Sequence, residues 1–160
     1  MRDELLSILE KNSRIDFKEL AVLLGASEEE VLDEISRLEK ENIICAYHTL
    51  INWEKTDIEK VSALIEVKVT PQRGQGFDRI AERIYKYPEV KSVYLLSGGY
   101  DLLDTLEEKS LKEIAGFVSD KLSTPTMVLG RETHLILKKY KNSGKIINET
   151  FKDEREVTTP

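Results

Sequence analysis

The side chains in this sequence that suit catalysis or metal binding are few and scattered. The 160 residues include two histidines, His48 and His134, and one cysteine, Cys45. A single cysteine forms neither an internal disulfide nor a multi-cysteine metal site. The two histidines lie in different halves of the chain, and no Cys or carboxylate cluster in the sequence accompanies them. We therefore expect no catalytic residues, no metal site and no cofactor, and we expect Cys45 to be a small buried residue.

The segment Gly98-Gly99-Tyr100-Asp101 supports two interpretations. In the first, the glycines form a hairpin turn that needs positive φ angles, for which Gly-Gly is suited. In the second, their bare backbone amides bind a ligand carboxylate, because successive amides hold anions well. Tyr100 and Asp101 would then offer a hydroxyl group and an acceptor for an ammonium group. The second interpretation adds to the first and does not exclude it.

Composition indicates a globular, water-soluble protein. Apolar residues make up 40% and charged residues 34% of the chain, and no apolar run approaches the roughly 20 residues of a membrane span. The first residues lack the apolar stretch of a signal peptide, so we expect a cytoplasmic protein with no membrane partner. The net charge of −6 lies entirely in residues 1–45, which contain six Lys/Arg and twelve Asp/Glu. That distribution argues against nucleic-acid binding by this part.

The first 42 residues nevertheless have the pattern of three helices. Segments of capping-box form begin at Asp16 and Ser27, and Gly25 stops the helix between them. Two helices joined by a short turn with glycine predict a helix-turn-helix. The alternative is a three-helix scaffold without a DNA role. Residues 43–53 are rich in β-branched and aromatic types, which favours a strand or wing followed by a connector.

The second half alternates strand and helix patterns in the order β-α-β-β-α-β. Strands are expected at 61–69, at 90–97, from about Tyr100, and at 133–140, with amphipathic helices from Phe77 and Ser110. This order predicts a ferredoxin-like fold with both helices on one face of an antiparallel sheet. We expect Asp104 to face solvent at a twisted edge, and the alternative is that it lines an interface pocket. We expect the open face of the sheet to pack against a second copy.

The predicted fold class is therefore α+β, with an N-terminal winged helix-turn-helix and a C-terminal ferredoxin-like β-α-β-β-α-β domain that dimerises through its sheet. The expected organisation is a DNA-binding domain at 1–52, a linker at 53–60, a ligand-sensing and oligomerisation domain at 61–141, and a polar tail at 142–160 that is frayed from Lys152 to Pro160.

Three short motifs in this order resemble the Lrp/AsnC (feast/famine) family of transcription regulators. They are Leu38 to Ile44, which is similar to the exit of the family's recognition helix, Ser97 to Leu102, similar to its G-x-Y-D turn, and Thr133 to Lys138, similar to its last strand. The resemblance implies an effector, typically an amino acid, bound at a subunit interface. It also implies homodimers that assemble into larger rings. The effector-binding residues it implies are Gly98, Gly99, Tyr100 and Asp101, with Thr133 and His134 nearby.

The expected recognition helix is acidic in its first turn, Glu28-Glu29-Glu30. These acids complement the helix dipole, but they oppose the DNA potential where base contacts normally originate. The residues left to contact double-stranded DNA are Arg14, Lys18, Ser27, Arg37 and Lys40.

Three functions follow from these features. The first is a sequence-specific DNA-binding transcription regulator whose assembly or DNA binding responds to a small metabolite, an amino acid by the resemblance. The second is an oligomeric sensing protein that has lost DNA binding. The third, more distant, is an enzyme similar to the tetrapyrrole decarboxylases, which share this architecture.

Overall fold

The computed structural model describes residues 1–70, 76–123 and 128–148 of the chain. The chain divides into two compact units, Met1–Leu50 and a second unit that begins at Ile51. Residues 53–60, expected to be a linker, group with the second unit. The expected break at Pro71 to Gly74 and the frayed end from Lys152 to Pro160 lie outside the described residues.

Three helices form the first unit, as the sequence predicts. They are α1 (Arg2–Lys11), α2 (Phe17–Leu24) and α3 (Glu28–Lys40). Each buries one apolar stripe against the other two, because the apolar side chains recur at helical spacing. The resulting core consists of Leu5, Leu9, Leu20, Ala21, Val31, Ile35 and Leu38.

The turn between α2 and α3 is built by Gly25 and Ser27. Gly25 has a left-handed backbone with φ of 61°, and its amide donates to the carbonyls of Ala21 and Val22, which is how a glycine ends a helix. Ser27 then begins α3 with a complete capping box to Glu30. The box expected at Asp16 does not form, because the Asp16 side chain accepts no hydrogen bond from the first turn of α2.

The strand or wing expected at residues 43–53 is wrong. Residues 43–52 are irregular, and a single 3₁₀ turn follows at Trp53–Lys55. High β propensity alone does not make a strand, since a strand needs a neighbour for its backbone groups, and none of the sheets in the described residues includes this segment. Cys45, expected to be buried, is exposed in the same segment.

The second unit is a four-stranded antiparallel sheet with two helices, in the predicted β-α-β-β-α-β order. Its strands are β1 (Val61–Val69), β2 (Val90–Leu95), β3 (Leu102–Glu108) and β4 (Val128–Leu135), arranged β2-β3-β1-β4. The helices are α4 (Asp78–Tyr85) and α5 (Leu111–Phe117), and a π-helical turn, Val118–Leu122, extends α5. No helix in the described part of the chain is long and apolar enough to cross a bilayer.

Strand β4 begins and ends five residues earlier than the sequence pattern indicated. Its pairing with β1 ends at Leu135 opposite Ala63, followed by one bond from the Ile136 amide to the Ser62 carbonyl. Strand β1 begins at Val61, and no strand in the described part of the chain pairs with residues 137–140. Leu137 is accordingly 92% exposed.

The core of this unit lies between the sheet and its helices. It contains Ile65, Val67 and Val69 of β1, together with residues of β3 and both helices: Ile80, Ile84, Leu102, Leu106, Phe117 and Leu122. Asp104 lies on this same face and is 0% exposed, so the expected solvent-facing position is wrong. The alternation Leu102, Asp104, Leu106 accounts for its position, because strand residues two apart share a face.

A small hairpin follows the sheet. Its strands are β5 (Lys141–Asn142) and β6 (Lys145–Ile146), so the described part of the expected polar tail has a defined fold. The Asn148 side chain donates from Nδ2 to Glu54 Oε2 at 2.7 Å, and the Asn52 side chain donates from Nδ2 to the Ile147 carbonyl at 3.1 Å. The end of the described chain is thereby bonded to the segment that precedes β1.

Candidate functional site

One face of α3 is free in the first unit and is the candidate DNA-contacting surface. Val31, Glu34, Ile35 and Leu38 are buried, and the side chains opposite them are exposed. We call the exposed set the α3 stripe; it consists of Glu29, Leu32, Asp33, Ser36 and Lys40. Ser36 was not singled out in the sequence, although helical spacing places it between Asp33 and Lys40.

The predicted DNA contact Ser27 is committed to the start of α3. Its hydroxyl accepts from the Glu30 amide at 3.2 Å and donates to Glu30 Oε2 at 2.9 Å. The Ser27 amide also donates to this carboxylate, at 2.8 Å. These bonds, that of the Ser27 amide first and that of its hydroxyl second, lower the pKa of Glu30 from its ordinary value. Ser27 and Glu30 therefore stabilise the helix N-terminus as a pair.

The basic residues of the first unit differ in their freedom. Arg37 is held by Glu34 at 2.7 Å, with Glu41 at 3.8 Å from its Nε. Arg14, Lys18 and Lys40 have no ion pair with any other described residue. Of the five predicted DNA-contacting residues, these three are the ones with an uncommitted side chain.

In the second unit, the segment from Gly98 to Asp101 joins β2 to β3 without the turn we expected. Neither Gly98 nor Gly99 has a positive φ, and a Cβ added to either would meet no atom within 4 Å. The interpretation as a hairpin turn that needs positive φ is therefore wrong. The loop is closed instead by the Leu96 amide, which donates to the Asp101 carbonyl at 2.8 Å.

Asp101 is occupied by the protein itself. Its Oδ2 accepts from the Val69 amide at 2.9 Å, and its own amide donates to the Val67 carbonyl at 3.0 Å. Oδ1 lies 3.7 Å from Lys68 Nζ, which also donates to the Gly99 carbonyl at 2.9 Å. Asp101 thus holds the loop against the end of β1, where the register with β4 shifts. Its free acceptor capacity is smaller than the sequence suggested.

Tyr100 reaches across to β4, where its hydroxyl donates to Glu132 Oε2 at 3.1 Å. Thr133 and His134 lie on opposite faces of β4, because Thr133 pairs with Ile65 on the helix side and His134 pairs with Leu64 on the open side. His134 is therefore the one that shares a face with Glu132, and its Nε2 lies 3.0 Å from Glu66 Oε2. Glu66, Lys68 and Glu132 were missed in the sequence, since only the strand register brings them beside the loop.

The open face of the sheet, opposite the two helices, has apolar and charged parts. Leu64 and Leu103 lie on its central strands, and Tyr94 of β2 is 52% exposed beside them. Glu66, Lys68, Glu132 and His134 lie on the β1–β4 side. Ser62, on the same face near the start of β1, is only 8% exposed, and its hydroxyl accepts from Lys139 Nζ at 2.9 Å. The segment after β4 therefore covers this end of the face.

A helix-turn-helix unit followed by a ferredoxin-like unit defines a class of two-part proteins that join a DNA-binding motif to a sensor fold. Residues 62–146 match the family model of the Lrp/AsnC ligand binding domain. The chain therefore belongs to the Lrp/AsnC family. The resemblance noted in the three sequence motifs is confirmed.

Relatives of this chain are transcriptional regulators. YugG of Bacillus subtilis strain 168, an uncharacterised HTH-type transcriptional regulator, is 49% identical over 98% of this chain and 95% of its own length. FL11 of Pyrococcus furiosus, an HTH-type transcriptional regulator, is 25% identical over 89% of this chain and 91% of its own. With these relatives the chain groups with regulators and not with enzymes, so the tetrapyrrole enzyme interpretation is set aside.

A solved relative shares the architecture of the chain. The transcriptional regulator NMB0573 of Neisseria meningitidis, in a complex with L-Met, superimposes with a TM-score of 0.70 at 25% identity. The match covers 88% of this chain and 90% of that one. The predicted helix-turn-helix followed by a ferredoxin-like fold is confirmed, except for the wing expected at residues 43–53.

Proposed function

We propose that the protein is a cytoplasmic, sequence-specific DNA-binding transcription regulator that places the α3 stripe in the major groove. The observation that supports this most strongly is the 49% identity to an HTH-type transcriptional regulator across 98% of the chain. The intact helix-turn-helix, with Gly25 in the turn and Ser27 at the start of α3, supports it further. A helix of this kind normally reads bases from its N-terminal part.

The charge of the α3 stripe determines how strongly we expect it to bind DNA. Glu29 and Asp33 precede Lys40 along the stripe, so its N-terminal part opposes phosphate and its C-terminal part attracts it. A glutamate in the groove can accept from a cytosine amino group. Two copies of the first unit on one DNA site strengthen weak contacts through effective concentration. We therefore propose that each copy binds DNA with modest affinity, with phosphate contacts from Lys40, Lys18 and Arg14.

We further propose that the protein is a homodimer, built through the open face of the sheet, that can assemble into larger rings. The support is the apolar set on that face, where Tyr94 is exposed and Leu64 and Leu103 are half-buried. A ferredoxin-like sheet with helices on one side leaves the other side to be covered or wet. A dimer would present two copies of α3 to a pseudo-palindromic site.

Replacing Lys40 by glutamine tests the DNA-binding proposal. We expect affinity for a fragment of the protein's own promoter region to fall severalfold, and the slope of log K against log salt to lose about one unit, because one phosphate contact is lost. Fluorescence anisotropy at several salt concentrations measures both. The control is Lys91→Gln, an exposed lysine of β2 with the same charge change. Absence of binding by the unmodified protein at low salt would contradict the proposal.

A sensing protein that has lost DNA binding is the second candidate, and the acidic α3 stripe favours it. Neutralising Glu29 and Asp33 together distinguishes the two candidates, because a tuned DNA reader should bind more tightly once the repulsion is removed. A protein without DNA binding should remain inert. Glu30 is unsuitable for this experiment, since its carboxylate belongs to the capping box.

We also propose that a small metabolite, an amino acid, binds near Gly98 to Asp101 at an interface between subunits. Gly98 and Gly99 support this proposal. Neither has a positive φ, and a Cβ at either position would meet no other atom, so the fold itself does not require glycine there. The absence of side chains leaves the backbone open to a ligand. Tyr100 and His134 lie on the open face of the sheet, where such a ligand would bind, whereas Thr133 faces the helix side. NMB0573, in its complex with L-Met, shows that an amino acid is bound by one protein of this fold.

Exchanging Gly99 for alanine tests the effector site. We expect unchanged folding but at least severalfold weaker binding of the amino acid, because a methyl group would occupy the space of the ligand. Native mass spectrometry with L-methionine and a panel of other amino acids measures bound ligand and assembly together. Gly116→Ala in α5, also without close neighbours, is the control. Equal binding by both variants would place the effector elsewhere.

A further inference from the structure

Two carboxylates and an imidazole meet on the open face of the sheet, at the edge strand. Glu66 of β1 and Glu132 of β4 are directly opposite each other in the register. His134, two residues further along β4, directs its Nε2 at Glu66 Oε2 from 3.0 Å. One ligand atom from each of the three residues lies within 4.8 Å of the other two. We call these residues the Glu-Glu-His cluster.

The charges of this cluster are unbalanced. Like charges directly opposite on neighbouring strands destabilise a sheet, and Glu66 and Glu132 form such a pair. Within residues 1–70, 76–123 and 128–148, His134 is the only basic side chain in an ion pair with either of them. Lys68, the nearest lysine along β1, is bonded to Gly99 and Asp101 instead. Among the residues that the structure describes, Glu132 has a single side-chain hydrogen bond, from the Tyr100 hydroxyl.

Tyr100 contacts the same cluster, because its hydroxyl donates to Glu132 Oε2 at 3.1 Å. The ion pair of His134 involves only one of the two carboxylates, that of Glu66. A divalent cation between the three side chains would balance both carboxylates.

We propose that Glu66, Glu132 and His134 bind a divalent transition-metal ion of the class of Zn²⁺ and Co²⁺. The binding of this ion requires neither DNA nor an amino acid, although Tyr100 and His134 also lie beside the proposed effector site. One imidazole nitrogen with carboxylate oxygens suits such ions, whereas Mg²⁺ and Ca²⁺ prefer oxygen ligands alone. Water completes the coordination, and the Tyr100 hydroxyl acts from outside by fixing the orientation of Glu132.

The geometry is compatible with such an ion. Zinc bonds nitrogen and oxygen at about 2.0–2.2 Å, so neighbouring ligand atoms of a tetrahedral site lie about 3.3 Å apart. The 3.0 Å between His134 Nε2 and Glu66 Oε2 is close to that separation. The third ligand atom, a carboxylate oxygen of Glu132, must move inward by a rotation of that side chain. Such a rotation is possible because Glu132 is exposed.

Isothermal titration of ZnCl₂ into the metal-stripped full chain, in a non-chelating buffer, tests the proposal. We expect saturable binding of one ion per chain, and at least tenfold weaker binding for His134→Asn and for Glu132→Gln. The matched control is His48→Asn, which removes the other histidine, in the first unit. This variant should bind as the unmodified protein does. Co²⁺ should give visible absorption bands that are lost in His134→Asn.

Two results would overturn the proposal: no saturable binding of Zn²⁺ by the unmodified chain, or binding that neither His134→Asn nor Glu132→Gln weakens. Far-UV circular dichroism establishes that each variant is folded, and the surface positions of the two side chains favour that. Because the titration contains neither DNA nor an amino acid, its failure would not bear on the regulator function. Conversely, a failure of DNA binding would leave the metal result intact.

Discussion

Replacing Asp104 by leucine is expected to raise the free energy of unfolding of the second unit at pH 8 by several kcal/mol. Asp104 is 0% exposed in β3, and neither of its carboxylate oxygens has a hydrogen-bond partner among the described residues. Its neighbours across the sheet are Ile65 and Val93. A buried carboxyl group without partners is costly when it is ionised, and leucine removes that cost at similar volume.

The raised pKa of Asp104 determines how the free energy of unfolding changes with pH. Burial raises the pKa of Asp104 from 3.8 to about 7. Below pH 4 both the folded and the unfolded chain carry a protonated Asp104, and the group makes no difference. Between about pH 4 and 7 only the unfolded chain is ionised, so the free energy of unfolding falls as pH rises. Above pH 7 the full cost, on the order of 4 kcal/mol, is present and constant.

Urea unfolding at pH 5 and pH 8 measures the effect. Asp104→Leu and Asp104→Asn should both lose this group's pH dependence, and the leucine variant should be the more stable one. Asp57→Asn, an exposed aspartate before β1, is the control and should keep the pH dependence. A leucine variant less stable than the unmodified protein at pH 8 would show that Asp104 has a partner or a role that this interpretation overlooks.

Replacing Leu20 by alanine is expected to cost about 3 kcal/mol in the first unit and to abolish DNA binding with it. Leu20 of α2 is 0% exposed within the core that joins α2 to α1 and α3. A unit of only 50 residues has little stability to spare, so the cavity left by Leu20 should unfold much of α3. The second unit, which has its own core, should remain folded.

Val22→Ala is the matched control for this variant, because Val22 lies on the same helix and is 82% exposed. Its effect should stay within about 0.5 kcal/mol, as is usual for exposed positions. Circular dichroism during urea unfolding measures the helical content, and anisotropy with the promoter fragment measures DNA binding. Equal stability of the two variants would mean that the packing of Leu20 does not stabilise the first unit.

Local patterns were sufficient to predict much of the fold. The Ser27 capping box, the stop at Gly25 and the apolar alternation of β1 each depend on residues within a few positions of one another, and the structure confirms all three. Asp104 was wrongly placed although the signal was present. The alternation with Leu102 and Leu106 assigns it to the core face, and its charge outweighed that signal in the interpretation of the sequence.

Features that depend on distant pairing could not be predicted. The end of β4 is set by where β1 begins, which the apolar residues after Leu135 do not show. Glu66 and Glu132 become neighbours only through the β1–β4 register, so the expectation of no metal site depended on sequence distance alone. Asp101 was expected to be free for a ligand, but its carboxylate accepts from the amide of Val69, which lies 32 residues away in the sequence.

The hydrogen bonds of Asn52 and Asn148 reduce the freely moving length of the segment that precedes β1. A free linker over residues 53–60 would act as a flexible tether whose reach grows with its number of residues. Asn52 and Glu54 are instead fixed to the hairpin that ends at Asn148, and each fixed residue removes up to roughly 3.5 Å of contour length. The segment that precedes β1 therefore has less freely moving chain than an unbonded linker over residues 53–60 would have.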